Sequence, residues 1–326
     1  MIISSAPLRI SFCGGGTDYK KFYENHGGAV IGASINQRVY VFINPLSKFS
    51  EENIRFTYRT TESVQNIDSI KHPVVRAALN ELGIHKKINI ATMADIPGNS
   101  GLGSSSAFTV ALISGLSRFK GIKLDNHEII ELAYKLERIK LKESGGIQDY
   151  LHTTYGSLRH YNFSTIGTIE NKDLLTPGLK SLIERRVVLI RIGESRDSVN
   201  HAQVTENAVL HQAGLKALHK NNEVTKLAME RIIKTSDSES QYQILADAVH
   251  QNWSTKQIFQ PGVPSNFEQI RAELQHQGLV AIKLCGAGLS GYLLAFFDRD
   301  VPYSTIDAGS FLKFKIDTLG LLTNEI

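Results

Sequence analysis

The sequence predicts an α+β protein with two domains. Its 326 residues are long for a single domain. Segments typical of strands and of helices are mixed in the first half. The composition changes at "TPGLKS" (176–181), where a new order of strand, helices and further strands begins. We therefore expect an N-terminal domain over residues 1–180 and a C-terminal domain over residues 181–326.

Strands and one helix are predicted in the first half from periodicity. "RVYVFINPL" (38–46) and "KINIATMADI" (87–96) are rich in β-branched residues between turn signals, which is typical of strands. Between them, Pro73 suits the first turn of a helix, which we expect over 73–82.

Two more helices are expected before the composition changes. Segment 105–121 is apolar on nearly every face and ends at Gly121, which is typical of a buried helix. Asp125 and Glu128 have the spacing of a capping box, and they predict a helix over 125–141.

The second half begins with a predicted strand at 186–193 and closes with an alternating segment at 311–317. Segment 278–297 has the length of a transmembrane helix and a single charge, Lys283, but its central glycines favour two short buried strands around a turn. Helices are expected between these strands, over 196–233, 238–257 and 265–277.

Composition narrows the function classes. The excess of 36 Lys and Arg over 32 Asp and Glu gives a net charge of +4, too mild to indicate a nucleic-acid or membrane partner but compatible with an anionic small molecule. Cys13 and Cys285 lack metal-ligand spacing and are expected to be reduced, and the N-terminus has no signal-peptide pattern, so we expect a cytoplasmic protein. No heptad pattern decides whether the chain forms a homodimer.

The most informative motif is the uncharged loop "PGNSGLGSSSA" (97–107). It runs into the buried helix predicted from residue 105, so backbone N–H groups and the positive end of the helix dipole converge on one point. Ser104 to Ser106 add hydroxyls that can bind phosphate or ligate Mg²⁺. A plain N-cap with a flexible turn is the alternative, but three glycines and three consecutive serines favour an anion site. The lysine of a Walker loop is missing.

Carboxylates near this loop suggest phosphoryl-transfer chemistry. On a helix over 125–141, Glu137 falls inside the apolar arc, whereas Glu131 and Arg138 point the opposite way. Glu137 is therefore a candidate Mg²⁺ ligand, with a snorkelling or Arg-paired glutamate as the alternative. In "ESGGIQDY" (143–150), Asp149 either caps a helix or orients, or takes the proton from, an attacking hydroxyl.

Two other glycine clusters flank this region in the sequence. In "APLRISFCGGGTDY" (6–19), Arg9 lies in a predicted short strand and calls for an anionic partner, while Asp18 suits sugar hydroxyls or simply caps a turn. "KLCGAGLSGYLLAF" (283–296) contains a G-x-G-x-x-G pattern but precedes a strand near the C-terminus. We therefore expect close packing over phosphate or substrate and not a dinucleotide fold.

Taken together, "PLRISFCGGGTD", "PGNSGLGSSSA" and "KLCGAGLSG" resemble the three motifs of the GHMP kinase superfamily, spread over residues 6–291. "GGGTDY" and "LER…GGIQD" are most similar to bacterial heptose-7-phosphate kinases and their fucokinase-like relatives. The resemblance implies a ribosomal-protein-S5-like N-terminal domain, a ferredoxin-like C-terminal domain and an active site between them.

The resemblance also implies roles for individual residues. Asp149 would act on the acceptor hydroxyl, Arg9 would stabilise charge on the transferring phosphoryl group, and Ser105 and Glu137 would hold Mg²⁺. The ATP phosphates would be held by Gly98, Asn99, Ser100, Gly101, Leu102, Gly103, Ser104, Ser105 and Ser106. The substrate would be held by Gly15, Gly16, Thr17, Asp18, Gly286 and Gly288.

The implied reaction is transfer of phosphate from ATP to the anomeric hydroxyl of D-glycero-D-manno-heptose 7-phosphate, for surface polysaccharide biosynthesis. Arg196, between a predicted strand and helix, is a candidate for the distal phosphate, although a surface arginine is the alternative. A free sugar such as fucose, a non-sugar alcohol, or a non-catalytic ATP and sugar sensor remain the other hypotheses. Tyr150 replaces the glutamine of many relatives, and we expect it to reshape the substrate pocket.

Overall fold

A long antiparallel pair of strands, β1 (Ile2–Cys13) and β2 (Gly28–Pro45), forms the centre of the N-terminal half. The structure is a computed structural model that describes residues 1–98, 100–192, 198–286, 291–301 and 311–326. Both strands are longer than the sequence patterns predicted. Nearly every β1 side chain is buried, because helices pack against the strand pair from both halves of the chain.

The N-terminal sheet has eight strands within the described residues. Its order is β12-β1-β2-β5-β3-β4, and a further pair, β6 and β7, extends from β2. All neighbours are antiparallel except β3 and β5. The remaining strands are β3 (Ile54–Thr57), β4 (Thr61–Val64), β5 (Ile88–Ala94), β6 (Leu158–Phe163), β7 (Ile169–Asp173) and β12 (Leu322–Glu325).

The helices of this half follow the predicted pattern in most places. The expected helices over 73–82 and 105–121 are confirmed as α2 (Pro73–Glu81) and α3 (Ser104–Phe119), and α3 is buried along most of its length. The others are α1 (Lys20–His26), α4 (Asn126–Tyr134), α5 (Gln148–Tyr155) and α6 (Pro177–Arg186).

The helix predicted over 125–141 is not uniform. Its capping box of Asp125 and Glu128 is confirmed, but α4 ends at Tyr134 and residues 135–140 form a π-helical turn. A π-helical turn widens the spacing between residues on one face, so the regular helical period of 100° per residue does not hold beyond Tyr134. Such turns are frequent at functional sites.

The C-terminal half forms a second sheet of four strands within the described residues, in the order β11-β8-β10-β9. The strand pair predicted inside 278–297 is confirmed as β9 (Leu279–Leu284) and β10 (Gly291–Phe297). Helix α9 packs across β9. The other elements are β8 (Val187–Ile192), α7 (Ser198–Asn207), α8 (Gln212–Lys234), α9 (Ser238–Phe259), α10 (Phe267–Gln275) and β11 (Phe311–Leu312).

Three features of this half differ from the sequence prediction. The helix expected over 196–233 is divided into α7 and α8 by a short 3₁₀ turn, and the strand expected over 311–317 is shorter, with only an isolated bridge from Ile316 to Ile35 beyond β11. The chain then returns to the N-terminal sheet, where β12 pairs with β1. In the described part of the chain, no helix is both long and apolar enough to cross a membrane.

Candidate active site

A cleft of about 230 Å³ lies where the N-terminal sheet meets α9 and the end of β9. The three glycine clusters, far apart in the sequence, all contribute to its wall. The lining residues that the sequence predicted are Arg9, Gly15, Gly16, Asp18, Gly101, Gly103, Ser104, Ser105, Asp149 and Gly286.

Arg9 and Asp149 form a bidentate ion pair at the centre of this cleft. Arg9 Nε and Nη2 each donate to one carboxylate oxygen of Asp149, both at 2.7 Å, and Nη1 donates to the Gly101 carbonyl at 2.7 Å. Arg9 is nearly buried and the Asp149 side chain is about one-fifth exposed. This fork fixes the direction of the carboxylate and leaves one edge of it open to the cleft. Asp149 is the second residue of α5.

The predicted phosphate loop meets α3 as the sequence suggested. Gly103, with φ of +75°, occupies the N-cap position and no side chain caps the helix, so the first N–H groups of α3 lack a capping acceptor. Ser104 and Ser105 line the cleft, whereas Ser100, Leu102 and Ser106 are buried behind it and Gly98 is exposed. Asn99 lies outside the described residues.

The third glycine motif packs on this loop. A Cβ at Gly286 would stand 2.5 Å from the Gly101 Cα, and one at Gly291 would stand 2.3 Å from the Ser100 carbonyl oxygen. Both glycines also have positive φ values. Only glycine permits this approach, so the motif supports the loop from the C-terminal side. Gly288 lies outside the described residues.

Glu137 is fully buried behind the loop and surrounded by hydroxyls. Its Oε1 accepts hydrogen bonds of 2.8 Å from Ser105 and from Thr109, and its Oε2 accepts one from Tyr150. A serine hydroxyl beside a carboxylate is the oxygen chemistry that Mg²⁺ prefers, and Ser105 faces the cleft, so this pair fits the metal. Within the described residues, no three of the His, Cys, Asp and Glu side chains form a metal centre.

The expectation that Tyr150 reshapes the substrate pocket is not met by direct contact. The Tyr150 side chain is completely buried and does not line the cleft, because its hydroxyl binds Glu137. Burial, followed by the charge of Glu137, raises the pKa of Tyr150 well above its usual value, so the hydroxyl stays a proton donor. Tyr150 thus holds the candidate metal ligand and does not itself line the pocket.

Asp18 lies at the other end of the cleft and is almost fully buried. Its carboxylate accepts backbone hydrogen bonds from Gly16 at 3.0 Å and Gln148 at 3.2 Å. Burial, followed by the charge of Asp149, raises the pKa of Asp18 to about 6. Gly146 leaves room for this carboxylate, since a Cβ there would overlap Asp18 Oδ2.

Several polar atoms around Asp18 have no protein partner among the described residues. They are Ser11 Oγ, Gln148 Oε1 and Arg138 Nε, and all three residues line the cleft. Buried polar atoms are rarely left unpaired in proteins, so this end of the cleft suits a ligand rich in hydroxyl groups.

The direction predicted for Arg138 is wrong. A regular helix would place Arg138 on the face opposite the apolar arc. In the structure its side chain is only 12% exposed and lines the cleft. Its guanidinium stacks 5.3 Å from the centre of the Tyr150 ring. Arg138 lies within the π-helical turn at 135–140, where the regular helical period does not apply.

Thr17, a predicted substrate residue, does not line the cleft. Thr17 is fully buried, and its hydroxyl donates to the backbone carbonyls of Gly14 and Ala29 and accepts from the Ala29 N–H, so it closes the glycine turn. Arg196 lies outside the described residues.

Lys256 of α9 and Lys283 of β9 also line the cleft, and sequence reasoning missed both as site residues. A signal was available for Lys283, which is the lone charge in the apolar segment 278–297. Lys256 gave none, because its position follows from how α9 packs on β9.

The chain is similar to known kinases in sequence. Residues 69–157 match the model for the GHMP kinases N terminal domain. The chain is 26% identical to D-glycero-alpha-D-manno-heptose 7-phosphate kinase of Campylobacter jejuni over 321 residues, covering 94% of this chain and 92% of that protein. It is 23% identical to mevalonate kinase of Thermococcus onnurineus over 357 residues, covering 100% and 99%.

The fold has a solved counterpart. The structure of a D-glycero-D-manno-heptose 1-phosphate kinase from Bacteroides thetaiotaomicron superposes with a TM-score of 0.80 at 19% identity, over 100% of this chain and 99% of that one. The α+β, two-domain GHMP kinase fold expected from the sequence is thereby confirmed. Residues 69–157 therefore match a GHMP kinase N-terminal domain, and the similarity of the chain to kinases extends over nearly its whole length.

Proposed function

We propose that the chain is an ATP-dependent sugar kinase that phosphorylates the anomeric hydroxyl of D-glycero-D-manno-heptose 7-phosphate to give the 1,7-bisphosphate. This product would lead to the nucleotide-activated heptose used in surface polysaccharide biosynthesis. The observation that carries the proposal is the Arg9–Asp149 pair, which lies in one cleft with the glycine loop and with Asp18.

The nucleotide side of the proposal rests on the loop and α3. The uncapped N–H groups of α3, together with the hydroxyls of Ser104 and Ser105, would hold the ATP phosphates in residues 98–106. Ser105 and Glu137 would hold Mg²⁺, which neutralises phosphate charge when bound. Arg9 would stabilise the charge of the phosphoryl group in transit, because its guanidinium already reaches the Gly101 carbonyl.

The chemical step would use Asp149. The anomeric oxygen attacks the terminal phosphorus, the bond from that phosphorus to the oxygen bridging to ADP breaks, and the hydroxyl proton passes to the Asp149 carboxylate. The Arg9 fork holds the carboxylate in place for this transfer. Asp18 and Gln148 would bind sugar hydroxyls on the acceptor side, supported by Gly15 and Gly16.

The acceptor is proposed from the similarity to the Campylobacter jejuni kinase. The test is ADP release by the purified protein with ATP, Mg²⁺ and a panel of acceptors: heptose 7-phosphate, free heptose, fucose and mevalonate. We expect kcat/KM for heptose 7-phosphate to exceed that of every other acceptor by at least ~10-fold, since one charged hydrogen-bonded group contributes about this much. Equal turnover of a free sugar would reject the heptose-phosphate assignment.

A non-sugar alcohol is the second candidate, and the full-length similarity to a mevalonate kinase favours it. The same panel separates the two, because preference for mevalonate would reject a sugar acceptor altogether. A catalytically silent sensor is disfavoured, since a binding protein has no use for a carboxylate held open beside an arginine. Absence of ADP release with every acceptor would support it.

A further inference from the structure

The C-terminal wall of the cleft, which we define as Lys256 and Lys283, carries two ammonium groups that the proposed reaction has not yet used. Lys283 is nearly buried, and its Nζ donates to the Phe12 carbonyl at 2.9 Å and to Asn252 Oδ1 at 2.7 Å. Lys256 is partly buried, and its Nζ donates to the carbonyls of Leu284, at 3.2 Å, and of Gly286.

Neither ammonium has a counter-charge among the residues that the structure describes. Among the residues that the structure describes, no carboxylate lies within ion-pairing distance of Lys256 or Lys283, although Arg9 in the opposite wall is fully paired. Burial lowers the pKa of Lys256 to about 7, with a further contribution from the charge of Lys283, and burial lowers the pKa of Lys283 to about 8. A buried cation in this condition is stabilised by any anion that enters the cleft.

The position of Lys256 relates it to the glycine loop. The Gly286 carbonyl that accepts its hydrogen bond belongs to the residue that packs directly on Gly101, and Arg9 reaches the Gly101 carbonyl from the other side. Lys256 and Arg9 therefore approach the same part of the loop from opposite walls. This loop lacks the lysine of a Walker motif, so an ammonium supplied by a distant helix would complete it.

We propose that Lys256 and Lys283 form a phosphate subsite, with Lys256 as the residue that contacts the phosphate oxygens. The subsite deepens the proposed kinase function and rests on it for the source of the phosphate. Two sources share this chemistry, the terminal phosphate of ATP and the distal phosphate of a phosphorylated acceptor. The packing of Gly286 on Gly101 favours the terminal phosphate of ATP.

The test compares Lys256→Met with Lys256→Gln, which keeps an N–H donor without the charge. Lys234→Met, at an exposed position in the last turn of α8, is the matched control. Dissociation constants are measured on the full chain for a non-hydrolysable ATP analogue, ADP, heptose 7-phosphate and free heptose, together with the unfolding midpoint.

We expect both Lys256 variants to weaken the ATP analogue by at least ~10-fold more than ADP, with Lys234→Met unchanged. If affinity is lost only for heptose 7-phosphate and is kept for free heptose and both nucleotides, the subsite is also supported. In that case the phosphate that it binds belongs to the acceptor. Affinities within twofold of the parent protein for all four ligands would overturn the proposal. So would equal weakening of all four ligands with a lowered unfolding midpoint, since that is the result of a purely structural lysine. If Lys256→Met does not fold, Lys256→Gln decides by the same criteria.

The outcomes also separate this inference from the kinase assignment. A protein that phosphorylates an acceptor but binds all four ligands equally with and without the Lys256 charge refutes the subsite alone. A protein that transfers no phosphate, yet loses affinity for the ATP analogue when Lys256 is replaced, refutes the kinase assignment and leaves the subsite standing.

Discussion

The two walls of the cleft hold their charges in opposite ways. In the N-terminal wall, Arg9 is paired with Asp149, and Glu137 is surrounded by three hydroxyl donors. In the C-terminal wall, Lys256 and Lys283 bind only carbonyl and amide oxygens of the described residues. The first wall is organised before any ligand arrives, whereas the second is left with charge that a ligand must compensate.

This difference suggests a division of labour. Groups that must keep a fixed direction during chemistry are restrained by internal partners, which limits their movement when the ligand binds. Groups that only attract an anion gain more from being unpaired, because a counter-ion within the protein would compete with the ligand. Replacing residues in the two walls should therefore produce different kinds of loss.

The largest effect is expected at Asp149. Asp149→Asn keeps the shape and one acceptor for Arg9 but removes the group that takes the proton, so kcat should fall by at least ~10²-fold while the dissociation constants of ATP and acceptor change little. Single-turnover rates and separate binding titrations measure this. An unchanged rate would eliminate Asp149 as the base and leave charge stabilisation by the surrounding cations to carry the reaction.

Glu137→Gln should affect the metal before the acceptor. Loss of a charged oxygen ligand is expected to raise the Mg²⁺ concentration for half-maximal activity by roughly 10-fold, with the acceptor KM unchanged. A Mg²⁺ titration of ATP-analogue binding provides a readout that does not depend on turnover. A raised acceptor KM at an unchanged Mg²⁺ requirement would assign Glu137 to structure alone.

Asp18 should make both stability and acceptor binding depend on pH. The pKa of Asp18 is raised to about 6, so the folded protein binds a proton at this carboxylate more readily than the unfolded chain does. Ionisation of Asp18 therefore lowers the free energy of unfolding as pH rises from about 4 to 6, and the full loss is present above pH 6. Protonation removes the carboxylate that would accept hydrogen bonds from sugar hydroxyls, so acceptor affinity should decrease as pH falls through 6. Asp18→Asn should weaken acceptor binding by roughly 10-fold and remove this part of the pH dependence. Because the acceptor phosphate titrates equally in both proteins, their difference isolates Asp18. Parallel profiles would contradict the assignment.

For the C-terminal wall we expect ligand binding to be coupled to proton uptake. The pKa values of Lys256 and Lys283 lie below that of an unfolded lysine, so ATP-analogue binding at pH 8 should draw protons onto the two amines. Calorimetry in buffers of different ionisation enthalpy should show uptake of a fraction of a proton, and Lys256→Met should reduce it. Proton release, or equal uptake by both proteins, would contradict the idea that this wall is left for a ligand to neutralise.

The smallest effect is expected for Tyr150→Phe. Removing one hydrogen bond to the Glu137 carboxylate should lower the free energy of unfolding by about 2 kcal/mol and leave the acceptor KM unchanged. Denaturant unfolding and acceptor kinetics test the two parts. A shifted acceptor KM with normal stability would return Tyr150 to the substrate pocket.

The sequence predicted the N-terminal wall better than the C-terminal one, for a physical reason. Arg9, Asp18 and Asp149 each lie within five residues of a glycine cluster, whose turns leave local patterns in the chain. The place of Lys256 depends on the packing of α9 against β9, which no local pattern encodes. Arg138 was given the wrong direction because a regular helical period cannot reveal the π-helical turn that contains it.

The strands show the same dependence on distant contacts. The patterns found parts of β2 and β5, but β12 was missed, because it is stabilised by pairing with β1 at the far end of the chain. The helix with a proline in its first turn, α2, and the helix that is apolar on nearly every face, α3, were predicted to within two residues at each end.

The central claim is that ATP phosphates and a sugar acceptor meet between these two walls. A crystal structure with a non-hydrolysable ATP analogue and heptose 7-phosphate tests it most directly. We predict the triphosphate against residues 100–106 and the acceptor hydroxyls within hydrogen-bonding distance of Asp18 and Asp149. Nucleotide bound elsewhere, with this loop making no contact to phosphate, would contradict the account.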